Sequence, residues 1–71
     1  MNLCYVSKNL SSLRLKNNYS QSYVSKMLHI DRSLISKYER GNLYPNIQIL
    51  IKLANFYNVT IDYLLSVNNL N

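Results

Sequence analysis

The sequence predicts an all-α fold of five short helices with a helix-turn-helix at its centre. Apolar residues recur at spacings of three and four along most of the chain, the period of one helical face. Capping residues precede the apolar runs, at Ser20, Asp31, Asn46 and Thr60. Punctuation is sparse: the single glycine and single proline, Gly41 and Pro45, bracket one short loop. No strand-like alternation of useful length interrupts this pattern.

The first helix is expected over residues 3–17, where Leu3, Val6, Leu10 and Leu13 form one stripe. Asn17 and Asn18 end it, since asparagine tolerates the left-handed conformation of a helix C-terminus. The second runs over 21–28 from the cap Ser20, with Val24 and Leu28 facing inward and Ser25 small enough for a close helix contact. Asp31 is the expected cap of the third, 32–40, where its charge also complements the helix dipole. Ile35 and Tyr38 form that helix's apolar side, and Arg32, Ser33, Ser36 and Lys37 its polar side; Gly41 stops it. The fourth, 47–57, carries a broad apolar face of Ile47, Leu50, Ile51, Leu53 and Ala54 and ends at Asn58. Thr60 caps a fifth over 61–67, and the tail at 68–71 is expected to fray.

Composition narrows the function classes. At 71 residues the chain is read as one domain, 1–71, near the lower limit for folding without a staple. One cysteine, Cys4, excludes an internal disulfide, and one histidine beside it makes a structural zinc site unsupported. No metal and no cofactor are expected. Packing must therefore hold the fold, with a second copy of the chain as reinforcement. The net charge of +5 suits nucleic acid or an anionic membrane, or simply solubility. No apolar run is long enough for a membrane span, and residues 1–10 lack a signal-peptide layout, so the expected location is the cytoplasm, on the nucleoid when bound.

The segment that carries function is the pair of short helices joined by His29-Ile30-Asp31, with the lengths and tight turn of a DNA-binding helix-turn-helix. The turn wants positive φ, usually glycine; His29 stands there, and histidine is among the non-glycine types enriched in that region. Ile30 plugs the gap between the helices. Ser20-Gln21, Val24-Ser25 and Leu28 to Gly41, followed by Pro45-Asn46-Ile47, Leu50, Leu53-Ala54 and Asn58 to Leu65, together resemble the XRE family of lambda-repressor-like regulators. The resemblance covers residues 10–65 and rests on the ordered series, with His29 in place of the usual glycine and Ser25 in place of the usual alanine.

The resemblance implies roles. Gln21 bonds a DNA phosphate and braces the recognition helix. Arg32, Ser33 and Lys37, with Ser36 more peripheral, meet base edges in the major groove, where arginine and lysine donate to guanine. Arg40, Asn42 and Tyr44 approach the phosphate backbone, and Asn46 brings the N-terminus of the fourth helix to a phosphate. Arg14 and Glu39 form an ion pair linking the first helix to the end of the third. The resemblance also implies a repressor of phage, mobile-element or own-operon promoters, encoded by a bacterium or phage. With no effector domain in the sequence, occlusion of a promoter is the simplest mechanism. The apolar remainder around Ile61, Tyr63, Leu64 and Val67 motivates a homodimer on a pseudo-palindromic operator, its half-sites roughly 34–36 Å apart.

Other readings stand beside these. Taken alone, Arg32 and Lys37 read as a solvated helix face and Gln21 as a surface residue. His29 reads as a turn residue rather than a switch, and Cys4 as a packed or partly exposed thiol. Tyr19, Tyr38 and Tyr57 fall at core positions; Tyr44 can reach a phosphate; Tyr5, Tyr23 and Tyr63 suit a partner surface. No paired carboxylates, nucleotide loop or convincing nucleophilic dyad supports an enzyme. The rival function is a protein-interaction module such as an antitoxin that binds a toxin; a protein co-regulator is left open.

Overall fold

The computed structural model describes residues 3–67. The expectations for the Cys4 side chain and for the tail at 68–71 lie outside the residues and side chains described. Five helices follow in order: α1 Leu3–Lys16, α2 Gln21–Leu28, α3 Arg32–Arg40, α4 Ile47–Tyr57 and α5 Ile61–Leu65. The described residues contain no strand, and none of their helices is long and apolar enough to cross a membrane.

Local chemistry accounts for most helix ends. The side chains of Ser20, Asn46 and Thr60 accept the N–H groups of Tyr23, Ile49 and Tyr63 at 3.0, 2.9 and 3.0 Å. Each satisfies one of the donors that a helix N-terminus leaves unpaired. Asp31 departs from expectation: its side chain makes no cap bond. Its backbone carbonyl instead accepts from Leu34 and Ile35 at 3.0 and 3.1 Å, leaving the carboxylate exposed beside the positive end of α3. Asn18, His29, Asn58 and Gly41 all take the left-handed conformation that reverses a chain leaving a helix. At the central turn Ile30 is 6% exposed, and the Ser25 hydroxyl donates to the Ile30 carbonyl across it. Ser25 is thus more than a small residue at a crossing; it ties the turn.

Two ends differ from the sequence expectation. α1 stops at Lys16, because Asn18 turns left-handed and the Tyr19 N–H bonds back to the Arg14 carbonyl at 3.0 Å. α5 stops at Leu65 rather than 67, with Ser66 extended. The cause is a side chain from the other end of the chain. The Asn9 amide nitrogen lies 3.2, 2.8 and 2.9 Å from the carbonyls of Tyr63, Leu64 and Ser66. The Tyr63 carbonyl also accepts the Ser66 N–H at 3.3 Å, and α1 supplies a donor in place of a further turn of α5. The Asn9 carbonyl oxygen is itself buried without a partner, so the contact carries a desolvation cost.

The core gathers one face from every helix: Val6, Leu10 and Leu13 of α1, Val24 and Leu28 of α2, Ile35 and Tyr38 of α3, Leu50, Leu53, Ala54 and Tyr57 of α4, and Leu64 of α5. The face of α4 is narrower than expected. Ile47 and Ile51, four apart, lie 59% and 45% exposed on the side turned from the core.

Candidate nucleic-acid interface

Ile35 and Tyr38, 2% and 6% exposed, anchor α3 to the core. That orientation turns Ser33 and Lys37 to solvent on the opposite side; Arg32 is exposed at the first turn, three residues before Ile35, and Ser36 is half-buried. Arg40 is exposed at the end of α3, its Nε donating weakly to the Ser36 carbonyl at 3.4 Å. Beyond Gly41, Asn42 is exposed and Tyr44 half-buried, and the Asn46 side chain is engaged in capping α4.

The one acid of α3, Glu39, faces inward. Arg14 Nε donates to Glu39 Oε2 at 2.8 Å, and Arg14 Nη1 donates to the Tyr19 carbonyl at 2.9 Å. Gln21 Nε2 donates to the other Glu39 oxygen at 3.2 Å. One carboxylate thus joins α1, the first residue of α2 and the end of α3. The Glu39 side chain is only 6% exposed and that of Arg14 14%, so the pair lies largely out of water. The bond to Glu39 raises the Arg14 pKa above its ordinary value, against the opposing effect of burial. The site keeps Glu39 off the outward face of α3, where a carboxylate would repel a polyanion.

Tyr57 lies within reach of the same charge. Burial first, and the Glu39 charge second, push its phenol well above the usual range. Folding therefore favours the protonated ring. This contribution is fully present below pH 10.0, the ordinary value, and is lost as pH rises above it. Alkaline titration followed by circular dichroism is expected to unfold the protein above that point. Tyr57→Phe moves the midpoint upward, leaving the smaller burial effect at Tyr38. An unmoved midpoint rules Tyr57 out as the source.

With this geometry goes a family match: a family model described as helix-turn-helix covers residues 10–64. The chain belongs to the XRE family. It is 42% identical over 57 residues to the HTH-type transcriptional activator BcrR of Enterococcus faecalis, covering 80% of this chain and 28% of BcrR. It is 41% identical over 58 residues to the HTH-type transcriptional regulator ImmR of Bacillus subtilis (strain 168), covering 82% of this chain and 46% of ImmR. With AnsR of the same strain, another HTH-type transcriptional regulator, identity is 38% over 56 residues, covering 79% of this chain and 48% of AnsR. The chain therefore spans less than half the length of each of these relatives. No solved structure is a significant match.

The surface assigned to a partner needs one correction in this XRE-family chain. Leu64, expected at a dimer interface, is 0% exposed and belongs to the core. α5 has one buried side, and Leu64 occupies it. Ile61 and Tyr63 are half-buried, and Val67 is 67% exposed. Sequence reasoning also missed two bonded side chains. Asn9 falls inside the apolar stripe of α1, between Val6 and Leu13, and a polar residue there was a signal of a buried bond. Lys52 donates from α4 to the Leu28 carbonyl at 2.8 Å, and nothing in the run Ile49 to Leu53 points to that acceptor.

Proposed function

We propose that this chain is a sequence-specific regulator that binds B-form DNA in the major groove through α3 and represses transcription as a homodimer. The observation that carries the reading is the outward row Arg32, Ser33 and Lys37, exposed while Glu39 is turned inward. Arg32 and Lys37 donate to guanine O6 and N7, and Ser33 and Ser36 complete the contact with base edges. Gln21 has two amide hydrogens; one is spent on Glu39, and the second reaches a phosphate from the start of α2. Arg40, Asn42 and Tyr44 contact the backbone beside the groove. The α4 N-terminus, kept in place by the Asn46 cap, offers N–H groups to a further phosphate.

A second copy docks through Ile61, Tyr63 and Val67, placing two α3 helices on half-sites roughly one turn apart. Repression follows from occupancy of a promoter, which asks for nothing beyond the duplex-binding face. BcrR carries the name of an activator, so the sign of regulation is part of the test.

Selection of duplexes from a random pool at stated salt is expected to return a pseudo-palindrome. Arg32→Ala and Lys37→Ala each weaken binding to it roughly tenfold and relax the base preference at one position per half-site. A reporter with the selected site across its promoter is expected to fall silent. Binding indifferent to both substitutions sinks the assignment of α3, and a rise in transcription sinks repression.

A further inference from the structure

We infer that Lys52 is a positioning residue: its ammonium clasps the C-terminus of α2 to α4 and so sets where α3 departs relative to the phosphate-facing end of α4. This rests on the DNA-binding reading above. The last carbonyls of α2 have no partner within that helix. The N–H groups of His29 and Ile30 turn back onto the Ser25 carbonyl. The Leu28 carbonyl receives Lys52 Nζ at 2.8 Å, from a residue 24 positions away. An ammonium at the negative end of a helix dipole is favourably placed.

The place of this bond gives it its consequence. Leu28 immediately precedes His29, whose left-handed backbone swings the chain into α3. Lys52 lies about 7–8 Å along α4 from Ile47, at 1.5 Å per residue. The clasp therefore couples the turn that aims the groove-reading helix to the helix whose N-terminus meets the backbone. Lys52 aims its charge at the protein, whereas a lysine on a phosphate would add to the counterions released on binding.

The experiment uses the full chain, the duplex that the wild type selects, and the variants Lys52→Met and Lys52→Arg, titrated by fluorescence anisotropy across a salt series. Lys52→Met is expected to bind about 3- to 10-fold more weakly, the size of one ordinary hydrogen bond net of its exchange with water. Its slope of log affinity against log salt stays at the wild-type value, and Lys52→Arg restores most of the affinity. Amide exchange reads the clasp without DNA: the His29 and Ile30 amides of Lys52→Met exchange several-fold faster, while those in the middle of α1 do not change. Undiminished affinity overturns the proposal, as does a slope reduced by about one, the mark of a lost phosphate contact. Unaltered exchange at the turn overturns it too. Should Lys52→Met lose its helical signal, Lys52→Arg decides: wild-type affinity and exchange support the clasp, and tenfold weaker binding overturns it. If the wild type selects no duplex, the DNA-binding reading fails, and turn exchange alone judges the clasp.

Discussion

Leu64→Ala is expected to cost about 3–5 kcal/mol, the upper part of the range for a buried leucine. The side chain is 0% exposed in a core to which every helix contributes, so its loss leaves a cavity as well as lost burial. A domain of this length has a total stability of roughly 4–10 kcal/mol. The variant therefore sits near the edge of unfolding, with a Tm lowered by roughly 15–30 °C. Urea unfolding and thermal melts check it, with Val67→Ala as control: Val67 is 67% exposed and its truncation is expected to change stability by under about 0.5 kcal/mol. A Leu64→Ala chain that keeps its stability and only changes its state of association would return Leu64 to the interface.

Glu39→Ala is expected to cost about 2–4 kcal/mol, because it strands a largely buried guanidinium and removes the acceptor of Gln21. The effect is one of broken pairing. Replacing both partners, Arg14→Met with Glu39→Leu, is expected to recover most of the loss, since two apolar groups need no desolvated partner. Glu39→Gln keeps two polar contacts but not the charge and falls between. The measurement is a double-mutant cycle in urea, with coupling of at least about 1 kcal/mol expected between Arg14 and Glu39. Additive losses would mean that the carboxylate acts alone. The same cycle repeated on DNA binding tests orientation: α3 hangs from this joint at its C-terminal end, so affinity falls even where the protein remains folded.

Much of this architecture was legible along the chain. The helix starts at Gln21, Ile47 and Ile61 follow from caps acting on N–H groups three residues away, and the ends at Gly41 and Asn58 follow from single left-handed residues. Leu50 and Ile51 show where legibility stopped. They are adjacent and similarly apolar, yet one is 4% and the other 45% exposed. Hydropathy does not distinguish them; the direction from which α1 and α2 approach α4 does. Asp31 has the residue type of a cap but not its bond, because the backbone geometry of the turn fills that place with its own carbonyl. On α3 the spacing of Ile35 and Tyr38 already implied an outward Ser33 and Lys37.

The amino acids alone determined the helices, their order and the cationic side of α3, because caps, periodicity and turn residues act within four or five positions. The tertiary structure alone decided that Leu64 is core, that Asn9 ends α5 across 54 to 57 residues, and that Lys52 finds the end of α2. Those contacts join groups far apart in the chain. A donor in the sequence names no acceptor until packing brings one within about 3 Å.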